Sequence, residues 1–201
     1  MAVNRRAVFI DKDGTLLEDR PYNVDPAQIV FTPGALEGLG MLADAGFALV
    51  VVSNQSGVAR GYFDRVSVEA LLSQLQAVLA TQGLPLLGCY YCPHHPAGVV
   101  AEFATHCDCR KPLPGMVVRA SREHGLDPAA SYFIGDILDD VEAGHRAGCR
   151  SVLLDRGSET EWRRGPYRTP DFTARDLRDA ARWVVADSRT TLLEGAVVDV
   201  T

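Results

Sequence analysis

The feature that most constrains this chain is an alternation. Five short apolar runs, Ala7–Ile10, Ala48–Val52, Gly88–Tyr91, Tyr132–Ile134 and Ser151–Leu154, are separated by longer stretches with apolar residues at helical spacing. None of the five alternates polar with apolar, as expected of parallel strands covered on both faces. The intervening stretches predict helices over Pro33–Ala45, Val66–Gln82, Pro114–His124 and Asp139–Ala147. Pro33 and Pro114 suit first helical turns, and Gly46, Gly83, Gly125 and Gly148 suit helix ends. Strand and helix in strict succession predict an α/β fold, a doubly wound, Rossmann-like parallel sheet. Gly157–Pro170 reads as a polar loop and Ala174–Ala186 as a last surface helix. Residues 1–187 are expected to form a single domain, with 188–201 as a C-terminal tail, either an edge strand or partly disordered.

Composition narrows the function classes. A net charge of -6 argues against nucleic acid as a partner, because neutralising a phosphate backbone needs a basic face. No apolar run approaches the ~20 residues that span a bilayer, and Met1–Arg6 does not read as a secretory leader. A cytoplasmic monomer acting on a small molecule is the expectation, with thiols kept reduced.

In open α/β sheets ligands bind beyond the carboxyl ends of the strands. The chemically distinctive residues sit there: Asp11 after the first strand, Ser53 after the second, Cys92 after the third and Asp136 after the fourth. Asp11 and Asp13, two residues apart, repel one another and lose hydration where the strand breaks into Gly14-Thr15. A divalent cation is the simplest compensation. By itself Asp-x-Asp-Gly also fits an ordinary acidic turn. Ser53, Asn54 and Gln55, with the backbone N–H groups that follow, suit phosphoryl oxygens. Arg110 and Lys111 supply cations in a loop before a helix, and Asp136, Asp139 and Asp140 follow a further strand.

This ordered set (D-x-D-G-T, a strand-ending Ser, a Lys and G-D-x-x-x-D) resembles the haloacid dehalogenase superfamily of phosphatases over about residues 7–155. The resemblance implies a haloacid dehalogenase-like fold with Asp11 as nucleophile and Asp13 as general acid and base. It further implies Mg2+ held by Asp11, the Asp13 carbonyl and Asp136, with Ser53 and Lys111 binding the transferring phosphoryl group. Asp140 would steady Lys111 or the metal shell.

Cys92-x-His94 and Cys107-x-Cys109, separated by 12 residues, offer three thiols and an imidazole, a full tetrahedral set for structural Zn2+. His95 and His106 compete as ligands but fit the paired spacing less well. Cys89 and Cys149 lie beside strands and read as core residues. Such a closed zinc loop would fix Lys111, two residues beyond its last thiol.

Tyr91–Pro96, Asn54–Gly61 and Cys107–Pro112, with no large cap insertion, resemble the D-glycero-D-manno-heptose 1,7-bisphosphate phosphatases. These remove the C7 phosphate of a phosphorylated sugar on the route to nucleotide-activated heptose. The resemblance implies that Arg110, and with it Arg60, Asn54 and Gln55, contacts the sugar or its C1 phosphate. Histidinol-phosphate phosphatase is the closest rival, though its zinc loop is usually shorter; a zinc-stabilised binding domain is the non-enzymatic alternative. Two residues depart from the heptose pattern. Lys12 replaces a frequent Arg and is expected to point away from the metal with little consequence. Ile137 replaces a frequent Lys, which leaves the substrate open.

Overall fold

A computed structural model describes residues 5–198. Six parallel strands form one sheet: β1 (Ala7–Ile10), β2 (Ala48–Asn54), β3 (Gly88–Cys92), β4 (Tyr132–Gly135), β5 (Arg150–Leu154) and β6 (Phe172–Ala174). Their order is β3-β2-β1-β4-β5-β6. The chain therefore winds outward from β1 through β2 to β3, returns to lay β4 against the other side of β1, and winds outward again. The reversal between β1 and β4 is the switch point where such sheets bind ligands. Asp11 and Asp136 follow those two strands.

The helices are α1 (Ala35–Asp44), α2 (Arg65–Thr81), α3 (Gly115–His124), α4 (Leu138–Ala147) and α5 (Leu177–Val198). Side chains alternate across the sheet. Val8 and Ile10 join Leu39, Leu42, Leu75 and Val184 on the face covered by α1, α2 and α5. Ala7 and Phe9 join Met116, Val117 and Ala143 beneath α3 and α4. Both faces being covered, every β1 position is apolar, and the strand shows no period of two.

The sequence reading needs correction in four places. β2 and β3 run on to Asn54 and Cys92, so Ser53, Asn54 and Cys92 end strands instead of following them. Pro33 lies two residues before α1 rather than inside its first turn. A sixth strand, Phe172–Ala174, lies between the segment read as a loop and that read as a helix, overlapping the latter only at Ala174; three residues at a sheet edge leave almost no periodic signal. Finally, α5 continues through the segment read as an edge strand or disordered tail, as far as Val198. Residues 199–201 of that segment lie outside the described part.

Candidate active site

Asp11, Asp136 and Asp140 place their carboxylates within 4.8 Å of one another, all buried. The backbone makes this possible at two glycines. Gly14 holds φ at +80°, and a Cβ there would lie 2.0 Å from Asp136 Oδ2. A Cβ on Gly135 would lie 2.2 Å from that of Asp140. Only residues without side chains allow the carboxylates to approach so closely.

Lys111 enters the cluster from the loop before α3. Its ammonium pairs with Asp11, lies 2.6 Å from Asp140 Oδ1 and donates to Val52 O at 3.2 Å. Burial would lower the pKa of this amine, but Asp11 and Asp140 outweigh that and hold it above the usual lysine range. Burial pushes Asp11 up to about 7 against the pull of Lys111, helped by Asp140 and Asp13. Burial, then the charge of Asp11, pushes Asp136 up to about 6. Three desolvated carboxylates thus face one ammonium. Their oxygen-only donor set and surplus negative charge fit a hard divalent cation.

Asp13 stands outside this trio. Lys12 Nζ is 2.5 Å from one of its oxygens, and Gln55 Nε2 donates to the other at 3.0 Å. Its carboxylate is engaged apart from the trio, and the residue lines the neighbouring cleft. Lys12, expected to be of little consequence, is 1% exposed and fixes Asp13.

Ser53 is buried at the end of β2, where its Oγ accepts from Gln55 Nε2 at 2.8 Å. Asn54 has a different use from the one expected of it. Its Oδ1 accepts from Lys111 N and its Nδ2 donates to Lys111 O, both at 3.1 Å. With both amide atoms engaged, it positions Lys111. Arg60 Nη2 lies 3.1 Å from His95 Nε2. Arg60 Nε and Arg110 Nη1 are buried with no hydrogen-bond partner among the described residues. Buried guanidinium donors left unsatisfied are costly, and an anionic ligand would satisfy them.

Cys92, His94, Cys107 and Cys109 converge. Five of their donor–donor separations are 3.2 to 3.6 Å, His94 presenting Nδ1. Tetrahedral zinc with bonds of ~2.0–2.3 Å requires edges of roughly 3.3–3.8 Å, so the set fits zinc with no open position. His95 and His106 are not in the set. Cys149 is buried in the core and Cys89 packs partly against it; burial pushes both thiols up to about 12 and keeps them protonated.

Sequence reasoning missed three further contributors. Thr15 Oγ1 donates to Asp136 at 3.3 Å, Ser158 hydrogen-bonds Asp136, and Glu159 accepts from Leu138 N at 2.7 Å at the start of α4. Thr15 had a signal in its motif. Ser158 and Glu159 had none, because only tertiary folding lays their loop beside the site.

Carboxylates, a buried lysine and strand-end hydroxyl and amide groups at one switch point define a hydrolase acting on phosphate esters. A family model described as HAD-hydrolase-like matches residues 108–180. The D-glycero-β-D-manno-heptose-1,7-bisphosphate 7-phosphatase of Escherichia coli K12 is 40% identical over 185 residues, 92% of this chain and 91% of that one. Its Yersinia pestis counterpart is 43% identical over 150 residues, 75% and 80% of the two chains. Among solved structures, a HAD-like phosphatase from Mesorhizobium loti superposes with a TM-score of 0.79 at 35% identity, covering 93% of this chain and 87% of that one. The D,D-heptose 1,7-bisphosphate phosphatase of B. bronchiseptica, complexed with magnesium and phosphate, gives 0.72 at 30% identity, covering 90% and 99%. The chain belongs to the heptose bisphosphate phosphatase family of HAD-like hydrolases.

Proposed function

We propose that the protein removes the C7 phosphate of D-glycero-D-manno-heptose 1,7-bisphosphate, supplying heptose 1-phosphate for nucleotide-activated heptose. The observation that carries this reading is the presence of two separate anion-seeking positions. One is Lys111 among the carboxylates; the other is the unsatisfied Arg60 and Arg110 donors beside the zinc loop. A bisphosphate needs both, and forked guanidinium donors suit its retained phosphate.

Asp11 attacks phosphorus and the bond between phosphorus and the C7 oxygen breaks, giving an aspartyl-phosphate. Asp13, held by Lys12 and Gln55, protonates the departing C7 oxygen. It then takes a proton from the water that hydrolyses the acyl phosphate. Ser53 and Lys111 hold the phosphoryl oxygens, and Asp140 and Asn54 hold Lys111. Magnesium, bound by Asp11, Asp136 and the Asp13 carbonyl, would neutralise phosphoryl charge. Zinc on Cys92, His94, Cys107 and Cys109 would fix the loop that carries Arg110 and Lys111.

The same reading makes the chain one catalytic unit, acting as a cytoplasmic monomer. The five cysteines are free thiols, and no described helix is long and apolar enough to cross a membrane.

The test is phosphate release with magnesium from both anomers of the heptose bisphosphate and from histidinol phosphate. A heptose bisphosphate should be preferred over histidinol phosphate by at least ~100-fold in kcat/KM, about 2.7 kcal/mol of transition-state discrimination. Asp11→Asn should abolish turnover. Preference for histidinol phosphate would overturn the substrate, and an active Asp11→Asn variant would overturn the mechanism.

A further inference from the structure

The chain between β5 and β6, residues 155–171, contains no helix or strand. Connections longer than about 12–15 residues are uncommon in compact domains, and those that occur are usually functional. This one is fastened on both sides of the carboxylate site. Near its start Arg156 Nη2 donates to Glu18 Oε1 at 3.1 Å, a tie to the loop after β1. Near its end Arg168 Nη1 donates to Asp139 Oδ1 at 2.8 Å and to Glu142 Oε2 at 2.7 Å, both on α4. Between these anchors Ser158 and Glu159 meet the short segment that carries Asp136. The Ser158 hydroxyl donates to the Asp136 carboxylate. The other hydroxyl there, Thr15 Oγ1, lies 3.3 Å away, long for an O–H···O bond. Glu159 supplies a cap that the local sequence lacks. Ile137, the N-cap of α4, has no side-chain oxygen to receive the first N–H groups of the helix. Leu138 N donates instead to Glu159 Oε2 at 2.7 Å, from 21 positions away along the chain. Glu159 Oε1 accepts from Glu161 N at 2.7 Å, which fixes the carboxylate within its own loop. Asp136 is thus held twice, its carboxylate by Ser158 and the backbone that follows it by Glu159.

We propose that Ser158 is a positioning residue for magnesium, its hydroxyl aiming the Asp136 carboxylate at the ion while Glu159 locks the loop to the start of α4. The inference rests on the magnesium site read above and deepens it. A carboxylate that binds a metal must be oriented by its own hydrogen bonds, and removing such a partner typically costs about 10- to 100-fold in metal affinity. Ser158 acts through Asp136, so its loss weakens the ion and is corrected by supplying more of it.

The experiment titrates magnesium into zinc-replete wild type, Ser158→Ala, Ser158→Thr and Glu159→Ala by isothermal calorimetry without substrate, and measures phosphate release over the same magnesium range. Ser158→Ala should raise the magnesium dissociation constant about tenfold. Its lost turnover should return as magnesium approaches saturation. Ser158→Thr keeps the hydroxyl and should bind magnesium as wild type does, and Glu159→Ala should weaken binding in the same direction by less. Ser158 is exposed, so the alanine variant should fold and melt as wild type does without magnesium. An unchanged dissociation constant in Ser158→Ala would overturn the proposal. An equal loss in Ser158→Thr, or lost turnover that magnesium does not restore, would overturn it in favour of a purely structural loop. If wild type releases phosphate from no heptose bisphosphate, the substrate reading fails. The calorimetry, which needs no substrate, then still decides the role of Ser158.

Discussion

Lys111 and Asp11 are ion-paired inside the protein, their side chains 3% and 9% exposed, and Asp140, fully buried, takes the other side of the same ammonium. One cation therefore compensates two desolvated carboxylates. Removing one partner of a buried pair costs about 3–5 kcal/mol, because the charge left behind is uncompensated. Lys111→Ala should lose that much stability in urea without magnesium and fall at least ~1000-fold in kcat. Stability within about 1 kcal/mol of wild type would show that the carboxylates do not depend on Lys111.

The pH dependence follows from the carboxylates. Asp11 is raised to about 7 and Asp136 to about 6, from unfolded values near 4. A raised pKa contributes stability that is fully present below the unfolded value and is lost as pH rises through the folded one. The metal-free protein should therefore lose stability between about pH 4 and pH 7 on account of these two groups. Magnesium, which favours the ionised forms, should raise the melting temperature more at pH 8 than at pH 5. Melting curves with and without magnesium at the two pH values check this; an equal increment at both would contradict it.

Asn54 reaches the chemistry only through Lys111, gripping its main chain by two hydrogen bonds. Asn54→Ala should lower kcat about 10- to 100-fold, since misplacing a catalytic group by ~1 Å costs up to 100-fold. Steady-state kinetics decides the point: a loss confined to KM would make Asn54 a substrate contact after all.

Cys107→Ser should lower zinc content from close to one per chain. Melting temperature and activity should fall together, because zinc binding and loop folding share one free energy. Metal analysis with parallel activity assays is the check, and undiminished zinc would remove Cys107 from the ligand set.

The catalytic strand ends and the peripheral elements differ in how far the sequence reveals them. Asp11 follows an uninterrupted apolar run, which both locates a buried strand and marks the abrupt polarity where it ends. The same logic locates Ser53 and Asp136, and the Cys-x-His and Cys-x-Cys spacings foretell a zinc set that does converge. β6 and the length of α5 were illegible because edge and surface elements bury little, and so carry weak periodicity.

The strand-and-helix alternation, the strand-end carboxylates and the converging Cys and His residues are legible in the residues themselves, because local burial pattern and chemical type suffice for these. Folding alone brings Asn54 to Lys111, Lys12 onto Asp13, Ser158 to Asp136 and Tyr22 to Tyr62. The physical reason is range. Asn54–Lys111 and Tyr22–Tyr62 join residues 40 or more positions apart and Asp136–Ser158 residues 22 apart, where the distance between side chains is set by sheet order and loop path and leaves no trace in local periodicity. Lys12 and Asp13 are adjacent, but the burial that brings the amine back onto its neighbour's carboxylate comes from the surrounding fold.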